Sequence, residues 1–417
     1  MAEIKDVLEE LNPWWKKEFI VTYKEREIYR QIKKFMDLPQ IIAFNGLRRV
    51  GKTTLMLKII DEAIKNDFEP KNIIYFSFDE FKEIEIRTII KEYERILEKS
   101  LGEQKCLLLL DEIQKINDWE GQLKSIYDRF KENVKIVISG SESLFIRKKS
   151  KETLAGRIFE FKIEPLSFRE FLLFKGINFK PIGIYENELS KLFNEFILSI
   201  GFPELVGIKD KDVIKKYIKE NLIEKIIYRD IPKLFKVRDI SLIESLLNVF
   251  MEEPGQLIEL SKLAKELNIS RQTLSNYLTY LEESFLIRKL YNFSRNRRKT
   301  ERKLKKYYPT LISVDLLFKE DDFSRSRIFE WMIINQLKTE FFWRDAYKNE
   351  VDAVIINNEL IPVEIKYGKL NFDGLLAFMK KFKADTGYII SSNKEEIQKF
   401  GDKKISVKPA FKFLLKE

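Results

Sequence analysis

From about Gln40 to Phe161, short apolar runs recur between stretches with helical spacing. "IIAF", "NIIYFSF", "CLLLL" and "VKIVIS" are almost unbroken apolar runs, the pattern of strands covered on both faces in a parallel sheet. Amphipathic stretches such as "TLMLKIIDEAIKN" lie between them, so an α/β unit is predicted. From Ser167 to about Leu247 the strand runs stop and a helical period takes over. The segment from Gln256 to about Tyr308 then reads as winged-helix-like. A short helix is predicted from Leu260 to Leu267, then a turn at "NIS" and an N-cap at Ser270. A second helix, Arg271 to Glu283, would bury Leu274, Tyr277, Leu278 and Leu281. From Pro309 to Glu417 the pattern returns to mixed α and β.

One loop in the first unit carries chemistry. "IIAFNGLRRVGKTTLM" contains Gly46-Leu47-Arg48-Arg49-Val50-Gly51-Lys52-Thr53, the G-x-x-x-x-G-K-[ST] phosphate loop, between a predicted strand and a predicted helix. Its glycines let the backbone turn N–H groups toward an anion, and the helix N-terminus adds positive potential. Lys52 is expected to bridge β- and γ-phosphates, and the Thr53 hydroxyl to ligate Mg²⁺, with Thr54 beside it. Arg48 and Arg49 are placed to brace the loop or touch phosphate. A second signal is "KCLLLLDEIQ", a buried strand ending in Asp111 and Glu112. Asp111 would help hold Mg²⁺ and Glu112 would polarise the attacking water. Ser139, Ser141 and Ser143 in "VKIVISGSES" could reach the γ-phosphate or the water, though turn serines are common. Arg157 in "LAGRIFEF" is a candidate arginine finger, within the chain or on a neighbour.

Composition narrows the chemistry. The 417 residues exceed one ordinary core, at roughly 150 residues per domain. There is no histidine, which removes Ser-His-Asp triads, imidazole metal sites and histidine bases. Catalysis must rest on carboxylates, lysines, arginines, hydroxyls and hard cations such as Mg²⁺. A net charge of +10 favours an anionic partner. The single cysteine, Cys106, allows no intrachain disulfide and fits a reducing cytoplasm. No signal-peptide core or membrane-length apolar run is evident, so neither export nor a membrane partner is expected.

The motifs "GLRRVGKTTL", "LLLLDEIQ", "SGSES", "LAGR", "EPLSFREFL", "GFPEL" and "YRDI" occur in an order that resembles a prokaryotic family of AAA-type ATPases. That family carries a C-terminal domain similar to restriction-endonuclease-like nucleases. Leu47 stands where relatives often have proline, and Ile200 where they often have glycine. The resemblance implies an AAA-type P-loop core with a helical lead-in over residues 1–165 and a helical lid over 166–250. The winged helix would cover 251–308, and an α+β restriction-endonuclease-like domain 309–417. It implies ATP and Mg²⁺ as cofactors and leaves a homo-oligomer open.

Two stretches beyond the ATPase core are candidate sites. Arg271, Gln272, Ser275 and Asn276 face outward on the second predicted helix, where a recognition helix meets base edges or phosphates. "RNRRKTERKLKK", Arg295 to Lys306, reads as a basic wing, with Arg297, Arg298, Arg302 and Lys303 as phosphate contacts. The expected partner is nucleic acid, DNA ahead of RNA; the alternative is a solvated charge run. The other stretch is "NEVDAVIINNELIPVEIKYG". With a three-residue loop at Asn357–Glu359, Ile356 pairs with Leu360 and Asp352 falls opposite Glu364, with Lys366 on the same face. Glu330 lies upstream on a helical stripe with Ile333, Ile334, Leu337 and Phe341. These four groups make the PD-(D/E)xK nuclease pattern, with Val351 in place of its proline. The pattern implies a metal at Asp352 and Glu364, a water-activating Lys366 and a supporting Glu330. The alternative is a Lys366 that only neutralises the acids of a scaffold. The expected function is a Mg²⁺-dependent ATPase coupled to nucleic-acid binding or remodelling, with a nuclease-like domain that either cleaves or serves an ATP-gated regulator or scaffold.

Overall fold

The apolar runs of the first part become the strands of one sheet. The structure, a computed structural model, describes residues 4–79, 81, 84–140 and 152–415, without the side chains of residues 301 and 302. β1 (Ile41–Asn45), β2 (Ile73–Ser77), β3 (Cys106–Asp111), β4 (Val134–Ser139) and β5 (Ile158–Lys162) are parallel throughout, in the order β2-β3-β4-β1-β5. β1 and β3 are buried along their whole length, which is why they read as unbroken apolar runs. The helices Lys52–Lys65, Ile86–Leu97 and Trp119–Phe130 supply crossovers. Because β4 lies between β1 and β3, the chain following Asn45, Asp111 and Ser139 emerges at one edge of the sheet. Ligands of open α/β sheets bind at such carboxyl edges.

The exposed edge of this sheet is closed by the chain's own start. The Asn12 side chain donates to the Tyr75 carbonyl at 2.8 Å and accepts from the Tyr75 N–H at 2.7 Å. The Trp14 and Trp15 indoles both donate to the Ile73 carbonyl, at 3.1 and 2.8 Å. Unpaired backbone groups of β2 are thereby satisfied without another strand.

The chain divides into two compact units, with the break between Pro165 and Leu166. The second begins with helices, as the loss of strand runs predicts: Phe168–Phe174, Glu186–Ser199, a stretch from Lys211 to Leu234 with wide π-turns, and Ile240–Glu252. Ser167 and Glu170 form a capping box at the first of these. There follow β6 (Gln256–Ile258), the helices Leu260–Glu266 and Arg271–Glu283, β7 (Ile287–Asn292), a short helix Arg297–Arg302 and β8 (Lys305–Pro309). Ser270 caps the second helix, accepting from the Thr273 N–H at 3.0 Å. The helix Asp322–Leu337 then leads into β9 (Phe341–Arg344), β10 (Glu350–Ile356), β11 (Leu360–Lys366), β12 (Thr386–Ser391), β13 (Glu396–Phe400) and β14 (Lys403–Pro409). All nine strands form one sheet, ordered β13-β14-β12-β11-β10-β9-β7-β8-β6. Parallel pairing of β7 with β9, Tyr291 to Phe341 and Asn292 to Phe342, makes it continuous across residues 308 and 309.

Three local differences from the sequence reading matter. Phe341 does not share the helical stripe of Glu330. The helix stops at Leu337, Lys338 turns left-handed at φ 54°, and Phe341 opens β9. Basic residues from Arg295 to Lys306 do not form one exposed wing. Arg297 and Arg298 are exposed on the short helix, but the Arg295 guanidinium is tied to the Phe382 carbonyl and Lys306 is buried. The hairpin pairs Ile356 with Leu360 and Ala353 with Val363, yet Asp352 turns its carboxylate onto the backbone of β11, where the Ile365 N–H donates to it at 2.8 Å.

Candidate functional site

The phosphate loop leaves β1 at Asn45. Gly46 has φ 143°, and a Cβ there would lie 2.2 Å from the Ile163 carbonyl oxygen, so only glycine fits the turn. Arg49, at φ 62°, and Gly51, at φ 97°, carry the rest of the curl into the helix Lys52–Lys65. Leu47 and Val50 are buried inward, Arg48 is half-buried, and Arg49, Thr53 and Thr54 are exposed. The Lys52 side chain is buried and donates to the Gly46 and Leu47 carbonyls at 3.1 and 2.9 Å. Arg26, which stands outside every motif of the chain, braces the loop from behind. Its guanidinium donates to the Val50 carbonyl at 2.6 Å and the Glu164 carbonyl at 2.7 Å.

Asp111 ends β3 and is 2% exposed. The Thr53 hydroxyl donates to its Oδ2 at 2.7 Å and the Tyr75 hydroxyl to the same oxygen at 3.0 Å. The Ser139 hydroxyl bonds its other oxygen. Burial, then the nearby Asp111 carboxylate, pushes the Tyr75 phenol well above its ordinary value, so Tyr75 stays a neutral donor. Glu112 follows in left-handed backbone, φ 54°, a costly conformation for this residue. Its carboxylate accepts from the Gln114 amide at 2.6 Å. Neither Tyr75 nor Arg26 carries a motif; tertiary pairing alone reveals them. Ser141 and Ser143 lie outside the described residues.

Arg157 is not at this site. It precedes Ile158, which pairs with Ile41 at the start of β1, whereas the phosphate loop leaves the other end of that strand. The five residues of β1 separate the two by about 16 Å. Arg157 is instead bonded to Asp128 at 2.9 Å. Within one chain it does not serve the phosphate loop.

The second unit gathers its charged candidates around the hairpin. Lys306 of β8 is 5% exposed, with its ammonium 2.5 Å from Glu350, 3.7 Å from Asp352 and 3.8 Å from Glu330. Alternation along β8 puts Tyr308 on the same face, and its hydroxyl donates to Glu330 at 2.6 Å. Lys366 pairs with Glu364 Oε1 at 2.6 Å, and Arg344 with Glu350 at 3.2 Å. The other oxygen of Glu364 is buried with no hydrogen-bond partner. Gly374 lets the helix Asp373–Phe382 press onto the start of β10, since a Cβ there would lie 1.9 Å from the Glu350 carbonyl oxygen.

Burial and then Asp352 push the Glu364 carboxyl up to about 8, against the pull of Lys366. Burial and Asp352 likewise raise Glu330. Burial works against the charge on Lys306, but Tyr308, Glu330, Asp352 and Glu350 outweigh it and hold the ammonium well above its ordinary value. Lys366 is raised in the same way, by Glu364 and Asp352 against burial. Among the described residues, no group of three or more carboxylates or thiols is arranged to hold a metal ion.

Arg271 and Gln272 are exposed at the start of their helix, with Gln272 bonded to Asn276 at 3.0 Å. Lys303 is half-buried and donates to Asn292 at 3.3 Å; burial and then Lys381 and Lys299 lower its pKa. Lys381 thus joins this positive surface from a helix that sequence reading leaves out. The Arg302 side chain lies outside the described residues. No described helix is long and apolar enough to cross a membrane.

Comparison with known proteins bears on the first unit as a domain. A family profile described as an AAA domain matches residues 38–172. Two domains of unknown function match residues 190–310 and 327–412. The chain is 32% identical over 371 residues to the uncharacterized protein MJ1544 of Methanocaldococcus jannaschii, covering 84% of this chain and 80% of that protein. It is 30% identical over 391 residues to MJ1637 of the same organism, covering 85% and 81%. Among solved structures, a RuvB from Thermotoga maritima aligns with 66% of this chain and 91% of its own at 16% identity, with a TM-score of 0.31, too low to carry weight. The chain belongs to the same family as MJ1544 and MJ1637, and its first unit is an AAA-type P-loop ATPase domain.

Proposed function

We propose that this protein is a Mg²⁺-dependent ATPase whose nucleotide cycle gates the binding of DNA. The observation that carries the ATPase reading is the 2.7 Å bond between the Thr53 hydroxyl and Asp111. These residues, far apart in sequence, are the two whose oxygens would hold Mg²⁺. Among the described residues Asp111 is met by hydroxyls and not by a lysine or arginine, so its charge stays available to a cation. Magnesium bound there would offset phosphate charge. The first N–H groups of the helix at Lys52 lack intrahelical partners and would receive phosphate oxygens. Lys52 would exchange loop carbonyls for phosphate, and Glu112, steadied by Gln114, would orient and polarise the attacking water.

The second unit supports the DNA part of this reading. Leu260–Glu266, Arg271–Glu283 and the strands β6, β7 and β8 have the order of a winged helix, and Arg271 and Gln272 stand exposed where a recognition helix meets DNA. Arg297 and Arg298 add exposed positive charge. The β9–β12 region is read as a nuclease-like fold. The test is phosphate release by the full chain in Mg²⁺, with and without duplex DNA. The expected result is hydrolysis that Lys52→Ala abolishes and that duplex DNA alters. Wild-type protein that releases no phosphate in either condition overturns the ATPase reading; hydrolysis indifferent to saturating DNA overturns the gating.

A further inference from the structure

A nuclease-like reading of the hairpin calls for a divalent metal between Asp352 and Glu364, and the residues present do not fit one. Each carboxylate there already has a partner from the chain. Asp352 accepts the Ile365 N–H with one oxygen, and its other oxygen is 3.7 Å from Lys306. Glu364 Oε1 holds Lys366 at 2.6 Å, and Glu350 is shared by Lys306 and Arg344. Glu330 accepts from Tyr308. Among these carboxylates only Glu364 Oε2 is buried without a partner, and the acids that would flank a metal each already have an ammonium within 3.8 Å, which compensates the negative charge a divalent ion would need.

We infer that Lys306 is the resident cation of this cluster and takes the place of a divalent metal. Four carboxylates, Glu330, Glu350, Asp352 and Glu364, face three cations, Lys306, Lys366 and Arg344. With the Glu364 carboxyl pushed up by burial and Asp352, at most three charged carboxylates face the three cations, and a doubly charged ion would overshoot them. The lysine is also held in position. It projects from the second residue of β8, a strand paired on both sides, with Lys306 opposite Leu290 of β7 and Leu257 of β6. Its ammonium lies 5.6 Å from the centre of the Phe342 ring. The cluster is thus a charge-locked joint that ties β8 to β10 and to the helix Asp322–Leu337. This inference is independent of the ATPase reading and deepens the nuclease-like one by removing its metal.

The test counts Mn²⁺ bound to the nucleotide-free full chain by electron paramagnetic resonance titration. Lys306→Met removes the resident cation while keeping an unbranched apolar side chain. The expected result is one more Mn²⁺ per chain in Lys306→Met than in wild type, with the extra ion lost again in Lys306→Met/Asp352→Asn. Equal counts in Lys306→Met and wild type overturn the inference. If Lys306→Met fails to fold, wild type against Asp352→Asn decides. Equal counts there support the lysine as resident cation, and a lower count in Asp352→Asn means wild type already holds a metal at the cluster and overturns it.

Discussion

Asp111 and Asp352 are both buried aspartates on strands, and both stand in motifs associated with metal-dependent chemistry. Their surroundings differ in kind. Asp111 is met by three neutral hydroxyls, from Thr53, Tyr75 and Ser139. Asp352 shares a cluster with two lysines and an arginine. Hydroxyl donors steady a carboxylate and leave its charge uncompensated, ready for a cation. Ammonium groups compensate it within the fold. A buried acid is therefore a metal candidate according to what already balances it, more than according to the motif around it.

The two aspartates should differ most at the nucleotide site. Glu112→Gln is expected to keep ATP binding and to lower phosphate release by about 10²-fold or more, the range for removing a preorganised polar group from a reacting centre. Asp352→Asn should leave that rate unchanged. Steady-state phosphate release on both variants checks this, and a wild-type rate in Glu112→Gln removes that residue from the mechanism. Stability should answer in the opposite place. Lys306→Met strands buried carboxylates, and breaking one partner of a buried ion cluster costs about 3–5 kcal/mol. Hydrogen exchange of the β8 and β10 amides should report the loss; unchanged protection contradicts a joint at Lys306.

A smaller effect sharpens the same contrast through pH. The Glu364 carboxyl stands at about 8 in the folded chain against an ordinary 4.5, so the folded state keeps a proton that the unfolded state has released. The associated stability is full below about pH 4.5 and is lost as pH rises through about 8, at up to about 1.4 kcal/mol per pH unit. Glu364→Gln mimics the protonated acid and should flatten that slope. Exchange of the β11 amides between pH 5.5 and 7.5, corrected for intrinsic rates, measures it; an equal slope in the variant contradicts the raised carboxyl.

Much of the first site is legible from residue order, because a phosphate loop is local. Gly46 to Thr53 are consecutive, and parallel strands buried on both faces show as unbroken apolar runs. The hairpin register is legible for a similar reason, since a three-residue loop sets Ile356 against Leu360. What escapes is long-range. Arg26 reaches Val50 and Glu164, Tyr75 reaches Asp111, and Asn12 replaces a strand along β2. Lys306 is the sharpest case. In sequence it is the last of eight basic residues and looks like its neighbours; strand alternation on β8 turns it into the acid cluster while Arg297 and Arg298 stay in solvent. Charge runs do not record which member a strand will bury.

The smallest expected effect concerns those exposed residues. Neutralising Arg297 and Arg298 together should reduce the slope of log affinity for duplex DNA against log salt by about 2, at about 0.9 per phosphate contact. Fluorescence anisotropy over a salt series checks this, and an unchanged slope removes them from the DNA surface.

The contrast between the two aspartates is tested most directly by counting Mn²⁺ on the full chain in the presence of a non-hydrolysable ATP analogue. One ion per chain is expected, abolished by Asp111→Asn and untouched by Asp352→Asn. An ion that survives Asp111→Asn, or that disappears with Asp352→Asn, contradicts the assignment of the metal to the hydroxyl-lined strand end.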